Sequence, residues 1–200
     1  MVLKICGITN AEDAVAAVDA GATAIGFNFF PRSPRYISPQ DAARIGSPPG
    51  VRRVGVFVSE SPVRIEEIAA LARLDVAQLH GDEAPVEYPA SLAVWKAARV
   101  TAGFDFSPYE DLPAEAVVLD GPAGELYGGS GLTFDWGLAA VIRKKIILAG
   151  GLDATNVAQA IRAARPWGVD ACSRIERAPG KKDHRKMNEF LQAAKAALRA

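Results

Sequence analysis

The sequence predicts an α/β fold: a short (β/α)8 barrel of the TIM type, filling a single domain over residues 1–200. Three observations predict it. Short β-rich apolar runs alternate with longer, often Ala-rich helical segments along the whole chain. That alternation builds right-handed βαβ crossovers around a parallel sheet. Eight such units can be traced, the number that closes a barrel. No G-x-G-x-x-G fingerprint accompanies them, so the open doubly wound sheet fits poorly.

Each unit has its own grounds. Residues 2–6 read as the first strand, and 11–20 as a helix with Asn10 as N-cap and Gly21 as its stop. Residues 24–30 follow as a strand rich in Ile and Phe. Ser38-Pro39 and Ser61-Pro62 then open helices to about residues 45 and 73, each with Ser as N-cap and Pro at the first helical position. Strands are expected at 53–58, 76–80, 94–100 and 116–120. A weak helix is expected at 84–89. Residues 101–113 read as loop with one turn near 108–112. The last units pair strands at 145–149 and 168–173 with helices at 135–142, 155–164 and 184–198. At 200 residues the chain lies at the short limit for such a barrel, so some helices must be minimal.

Composition bounds the function. The chain carries 23 basic and 23 acidic residues, no net charge and a pI near 6.7. A dedicated nucleic-acid or membrane-surface binder needs a basic face instead. No apolar run approaches the roughly 20 residues of a membrane span. Two cysteines make no disulfide framework. A soluble cytoplasmic protein is expected, a monomer first and a dimer second, with a small-molecule partner and neither nucleic acid nor membrane.

In a (β/α)8 barrel the chemistry sits at the C-terminal ends of the strands. There the sequence pools a thiol, an imidazole, carboxylates, arginines and glycine turns. Cys6 ends the first strand; it reads either as a base, if a neighbouring cation stabilises the thiolate, or as a small buried hydrophobe. Cys172, on the adjacent eighth strand, reads as core; a disulfide between the two is conceivable, but the cytosolic reading speaks against it. Residues 121–134 form a long loop with five glycines that suits a lid. Asp135 follows it, and either complements a helix dipole or serves as an acid at the mouth. Gly150-Gly151 and Ser173-Arg174 stand after strands seven and eight, where barrels bind phosphate. The proline-stiffened loop Phe30-Pro31-Arg32-Ser33-Pro34-Arg35-Tyr36 offers two guanidinium forks for a carboxylate or phosphate. His80 ends strand four as a structural hydrogen-bonder or an acid–base group. With His80 and His184 the only histidines, a His-rich metal site is excluded.

Several blocks, in order along the chain, resemble one family. They include Lys4-Ile5-Cys6-Gly7-Ile8-Thr9, Ser33-Pro34-Arg35-Tyr36-Ile37, Gln78-Leu79-His80-Gly81-Asp82-Glu83 and Leu119-Asp120. Further on come Gly129-Ser130-Gly131-Leu132-Thr133-Phe134-Asp135-Trp136, Ile147-Leu148-Ala149-Gly150-Gly151-Leu152 and Pro179-Gly180-Lys181-Lys182-Asp183. The set resembles phosphoribosylanthranilate isomerase. The resemblance implies a barrel enzyme of tryptophan biosynthesis without a cofactor. Its reaction is the Amadori rearrangement of N-(5-phosphoribosyl)anthranilate to 1-(2-carboxyphenylamino)-1-deoxyribulose 5-phosphate. It implies Cys6 as general base, Asp135 as general acid, Arg35 on the anthranilate carboxylate, and Gly151, Ser173 and the backbone at Arg174 at the phosphate. His80, Gly150 and Asp170 complete the expected substrate-binding set. One run departs. Where the family reads Ser-Ser-Gly-Val-Glu, this chain reads Cys172-Ser173-Arg174-Ile175-Glu176, placing an arginine beside the phosphate. A sugar isomerase acting on another aminoaldose phosphate, and a barrel that only binds a phosphate metabolite, are the competing readings. Arg35 speaks against the first, and the Cys6–Asp135 pair against the second.

Overall fold

The computed structural model describes residues 1–101, 103–121 and 136–199. Eight parallel strands close into a barrel in chain order. They are β1 (Val2–Ile5), β2 (Ala24–Asn28), β3 (Arg52–Phe57), β4 (Val76–Leu79), β5 (Ala93–Arg99), β6 (Ala116–Asp120), β7 (Ile146–Leu148) and β8 (Gly168–Ala171). The seam is β8 against β1, in register from Val2↔Gly168 to Ile5↔Ala171. Outside lie α1 (Ala11–Asp19), α2 (Pro39–Arg44), α3 (Pro62–Ala72), α4 (Ser107–Glu110), α5 (Val157–Ala164) and α6 (His184–Ala197).

The local chemistry explains the elements. Asn10 Oδ1 accepts the Asp13 amide at 2.8 Å, and Ser38 Oγ and Ser61 Oγ accept those of Asp41 and Arg64. Each side chain satisfies an amide that has no partner within the first turn. Along the strands, side chains alternate between two apolar layers. Ile5, Ile25, Phe27, Phe57, Leu79, Leu119 and Leu148 face the helices. Val2, Ala24, Val54, Val76, Trp95, Ala116 and Ile147 fill the barrel's floor. Trp95 is the largest fully buried side chain among the described residues; it meets Trp167 edge-on at 6.0 Å and donates through Nε1 to Glu115 at 2.9 Å. One layer above this apolar floor the interior turns polar, with Lys4, Gln78 and Asp170 buried. That change of character marks the end of the barrel where chemistry is possible.

The structure differs from the sequence reading in a few places. The expected helix at 84–89 is a single 3₁₀ turn, Pro85–Glu87, because Pro89 holds Tyr88 extended. Residues Trp136–Val141 form a 3₁₀ run rather than an α-helix. The eighth strand stops at Ala171, and Ser173–Ile175 coils into a 3₁₀ turn. A hairpin unforeseen in the sequence follows, β9 (Glu176–Ala178) and β10 (Lys181–Lys182), turning at Pro179-Gly180 with Gly180 at φ 73°. Among the described residues no helix is long and apolar enough to cross a membrane.

Candidate active site

A cleft opens at the C-terminal end of the barrel. Cys6, Arg35, His80, Gly150, Gly151, Asp170, Ser173 and Arg174, eight of the nine residues expected at the site, all line it. Asp135 lies outside the described residues. Asp120, which the sequence reading placed at a strand end without giving it a role, lines the cleft as well.

Cys6 extends the β1–β8 ladder, its amide donating to Ala171 O at 2.9 Å. Gly7 then turns the chain away at φ 73°; a Cβ there would lie 2.9 Å from Arg35 Cδ and 3.1 Å from Cys172 Sγ. The Cys6 thiol is held well below its ordinary range. A hydrogen bond from Cys172 is the main cause, and the charges of Lys4 and Lys182 add to it against the opposing effect of burial. The same hydrogen bond and burial push the Cys172 thiol well up, so Cys172 keeps its proton and donates it. Cys172 is therefore a cleft residue, which corrects its reading as core.

Lys4 lies beneath, fully buried, with Nζ 2.6 Å from Asp170 Oδ2. Burial alone would discharge it, but Asp170 and Cys6 outweigh burial and raise its pKa. Gly26 makes the room: a Cβ there would stand 2.9 Å from Cys6 Sγ and 3.0 Å from Lys4 Nζ. The ammonium and the sulfur thus share one small space. Burial, aided by the charge of Cys6, pushes Asp170 up to about 7 despite Lys4. Its Oδ1 has no hydrogen-bond partner among the described residues and is an acceptor available to a ligand.

Asp120 ends β6, three strands round from Cys6 by way of β7 and β8. Burial and then the nearby Cys6 charge push its carboxyl up to about 6. Gly150, at φ 78°, carries the turn after β7 across it. A Cβ there would fall 2.7 Å from Asp120 Oδ1 and 2.4 Å from the Gly121 amide nitrogen, so the crossing requires glycine. His80 is pushed down to about 4 chiefly by burial and is neutral at pH 7; its Nε2 lies 2.7 Å from Gln78 Nε2.

Arg35 is fixed by a partner the sequence reading did not supply. Its Nε and Nη2 fork onto Glu176 at 2.8–3.1 Å. Glu176 also accepts from Lys182 Nζ at 2.9 Å and from the Gly180 amide at 3.2 Å, so the β9–β10 hairpin braces the arginine. The loop that carries it is tied by Asn28 Oδ1 to the Phe30 amide at 2.9 Å and by Ser33 Oγ to the Arg35 amide at 3.2 Å. Arg32 instead lies over the Phe30 ring at 4.9 Å, out on the rim.

Two turns complete the mouth. Gly150 and Gly151 are consecutive left-handed residues, and Asn156 Nδ2 pins the second through its carbonyl at 2.8 Å. Across from them runs the Ser173–Ile175 turn, from which the exposed Arg174 places Nη1 3.5 Å from Asp153 Oδ2.

A parallel barrel whose mouth pairs a depressed thiol with an elevated carboxyl, between an arginine and two backbone turns, defines an acid–base enzyme for an anionic small molecule. Comparison with known proteins narrows the class. The family model of N-(5'-phosphoribosyl)anthranilate isomerase matches residues 3–193. The N-(5'-phosphoribosyl)anthranilate isomerase of Solibacter usitatus is 66% identical over all of both chains. The crystal structure of phosphoribosyl anthranilate isomerase from Thermotoga maritima superposes with a TM-score of 0.89 at 43% identity, over 98% of this chain and 100% of that one. The enzyme from Thermus thermophilus gives 0.90 at 37% identity, over 98% and 99%. The chain belongs to the N-(5'-phosphoribosyl)anthranilate isomerase family, and is thus an aldose–ketose isomerase of tryptophan biosynthesis.

Proposed function

We propose that this chain carries out the Amadori rearrangement with Cys6 as general base and Asp120 as general acid. One observation carries the assignment: a thiol shifted down and two carboxyls shifted up line one cleft, and of the two carboxyls Asp170 is taken by Lys4 at 2.6 Å, which leaves Asp120 as the donor. A related solved structure, 40% identical, holds reduced 1-(o-carboxyphenylamino)-1-deoxyribulose 5-phosphate, the product skeleton of this reaction.

Asp120 gives its proton to the furanose ring oxygen. The C1′–O bond breaks, the anilino nitrogen supplies the electron pair, and an iminium forms. The Cys6 thiolate then takes the C2′ proton, the C–H electrons neutralise the iminium, and an enolamine results. Tautomerisation to the ketone moves the enol proton to C1′, and proton return restores the pair. Lys4 and Cys172 keep the sulfur anionic before the step. Asp170 Oδ1 offers an acceptor to a sugar hydroxyl. The phosphate rests on the turns at Gly150-Gly151 and Ser173-Arg174. Asp135, expected as the acid, has no part in this reading. Residues 1–200 act as one domain in the cytoplasm, as a monomer first and a dimer second. Growth rescue of a tryptophan auxotroph lacking this step tests the activity, and a failure to rescue by well-expressed protein would refute it.

Two binding residues follow. With Nε and Nη2 held by Glu176, the Arg35 guanidinium turns Nη1 to the anthranilate carboxylate before and during reaction, so its loss acts on uniform binding. Charge-assisted bonds are worth about 1.5–3 kcal/mol, and Arg35→Met is expected to raise KM about ten- to a hundred-fold with a smaller change in kcat. An unchanged KM would leave Arg32 as the carboxylate's partner. Arg174→Gly restores the residue usual in the family. If the arginine swings from Asp153 onto the phosphate, the variant's KM rises several-fold; a fall in KM would show that the arginine crowds the site.

A further inference from the structure

We propose that Cys6 and Cys172 form an oxidative modification site that takes a hydroperoxide and closes to a disulfide across the β1–β8 seam. The two residues follow paired positions, Ile5 and Ala171, of adjacent parallel strands. Neighbouring strands stand about 4.8 Å apart, inside the roughly 4.4–6.8 Å between Cα atoms that a disulfide spans. Both thiols are free, both are partly exposed, and both line the cleft. Each sulfur shifts the other's titration, and a Cβ on Gly7, the residue after Cys6, would lie 3.1 Å from the Cys172 sulfur.

The chemistry balances in two steps. The Cys6 thiolate attacks one oxygen of the hydroperoxide; the O–O bond breaks, and the leaving oxygen departs as hydroxide or alkoxide and takes up a proton. Cys6 becomes a sulfenic acid and its negative charge is gone. That charge, through the hydrogen bond, is what holds the Cys172 proton in place. What remains beside Cys172 is the Lys182 ammonium, 3.3 Å from its carbonyl oxygen and 4.0 Å from its sulfur. The Cys172 sulfur then attacks the Cys6 sulfur, the S–O bond breaks, and the hydroxyl leaves with the Cys172 proton as water. A thiolate with a resolving thiol beside it stops at the reversible stage of oxidation, whereas an isolated one proceeds to the irreversible sulfinic acid. The pair therefore protects the base of the reaction while silencing it, and a cellular dithiol reverses the lock.

The cross-link stands apart from the catalytic reading; only its effect on activity rests on Cys6 being the base. The test treats the purified full chain with hydrogen peroxide and reads intact mass, linked peptides and activity, before and after dithiothreitol. The expected result is a monomer lighter by two hydrogens, with the Cys6 and Cys172 peptides joined. Activity falls about 100-fold or more, as for a lost base, and returns with dithiothreitol. Cys172→Ser and Cys172→Ala, each measured against its own untreated activity, should gain two oxygens at Cys6 and recover nothing. Sulfinic Cys6 in the wild type without a cross-link, or a cross-link between two copies of the chain, would overturn the proposal. A Cys6–Cys172 cross-link that leaves activity intact would uphold the site and refute Cys6 as the base.

Discussion

Cys6→Ala is expected to lower kcat by about 10²–10⁴-fold, the usual contribution of a general base, while KM stays within a few-fold. In the proposed mechanism the residue takes the proton from C2′, so its loss falls on the chemical step. The fold should survive. Lys4 keeps its pairing to Asp170 at 2.6 Å, so no buried ammonium is orphaned by removal of the sulfur. Cys6→Ser should be almost as impaired, because a hydroxyl ionises far less readily than a thiol even beside the same Lys4. Steady-state kinetics with circular dichroism on the purified variants measure this. Wild-type kcat in either variant would remove Cys6 from the mechanism.

Asp120→Asn is the second large effect, again about 10²–10⁴-fold in kcat. The amide keeps the shape of the carboxyl and loses the proton it must give. The pH dependence adds an independent reading. The acid form of Asp120 is lost as pH rises through about 6, and the Cys6 thiolate is lost as pH falls through its depressed pKa. Wild-type kcat/KM should therefore decline on the alkaline side from about pH 6. In Asp120→Asn the residual activity should no longer show that limb. An unchanged alkaline limb in the variant would assign it to another group.

The strand alternation showed in the sequence because each strand is a short apolar run between capped helices; Asn10, Ser38 and Ser61 announce their helices by local chemistry alone. The site was legible wherever a residue stands at a strand end beside a glycine, as with Cys6, Gly150 and Gly151. What was not legible depends on closure of the barrel. Lys4 and Asp170 are 166 positions apart and meet only through the β1–β8 seam. Glu176 reaches Arg35 across 141 positions through a hairpin with no strand-like apolar run. Asp120 shows the limit most clearly. Its position at a strand end was visible, but its elevated pKa comes from burial and from the charge of Cys6, which reaches it only in the closed barrel. Asp135, which the resemblance implied as the acid, lies outside the described residues. Cys172 is a similar case, since its role is set by the sulfur across the seam.

In the proposed mechanism the strand-end carboxyl of Asp120 is the reacting proton donor. The most direct test is kcat for Asp120→Asn and Asp135→Asn, measured side by side on N-(5-phosphoribosyl)anthranilate. The predicted result is a loss of about 100-fold or more for Asp120→Asn and a change of no more than a few-fold for Asp135→Asn. A large loss confined to Asp135→Asn, with Asp120→Asn close to wild type, would contradict the account.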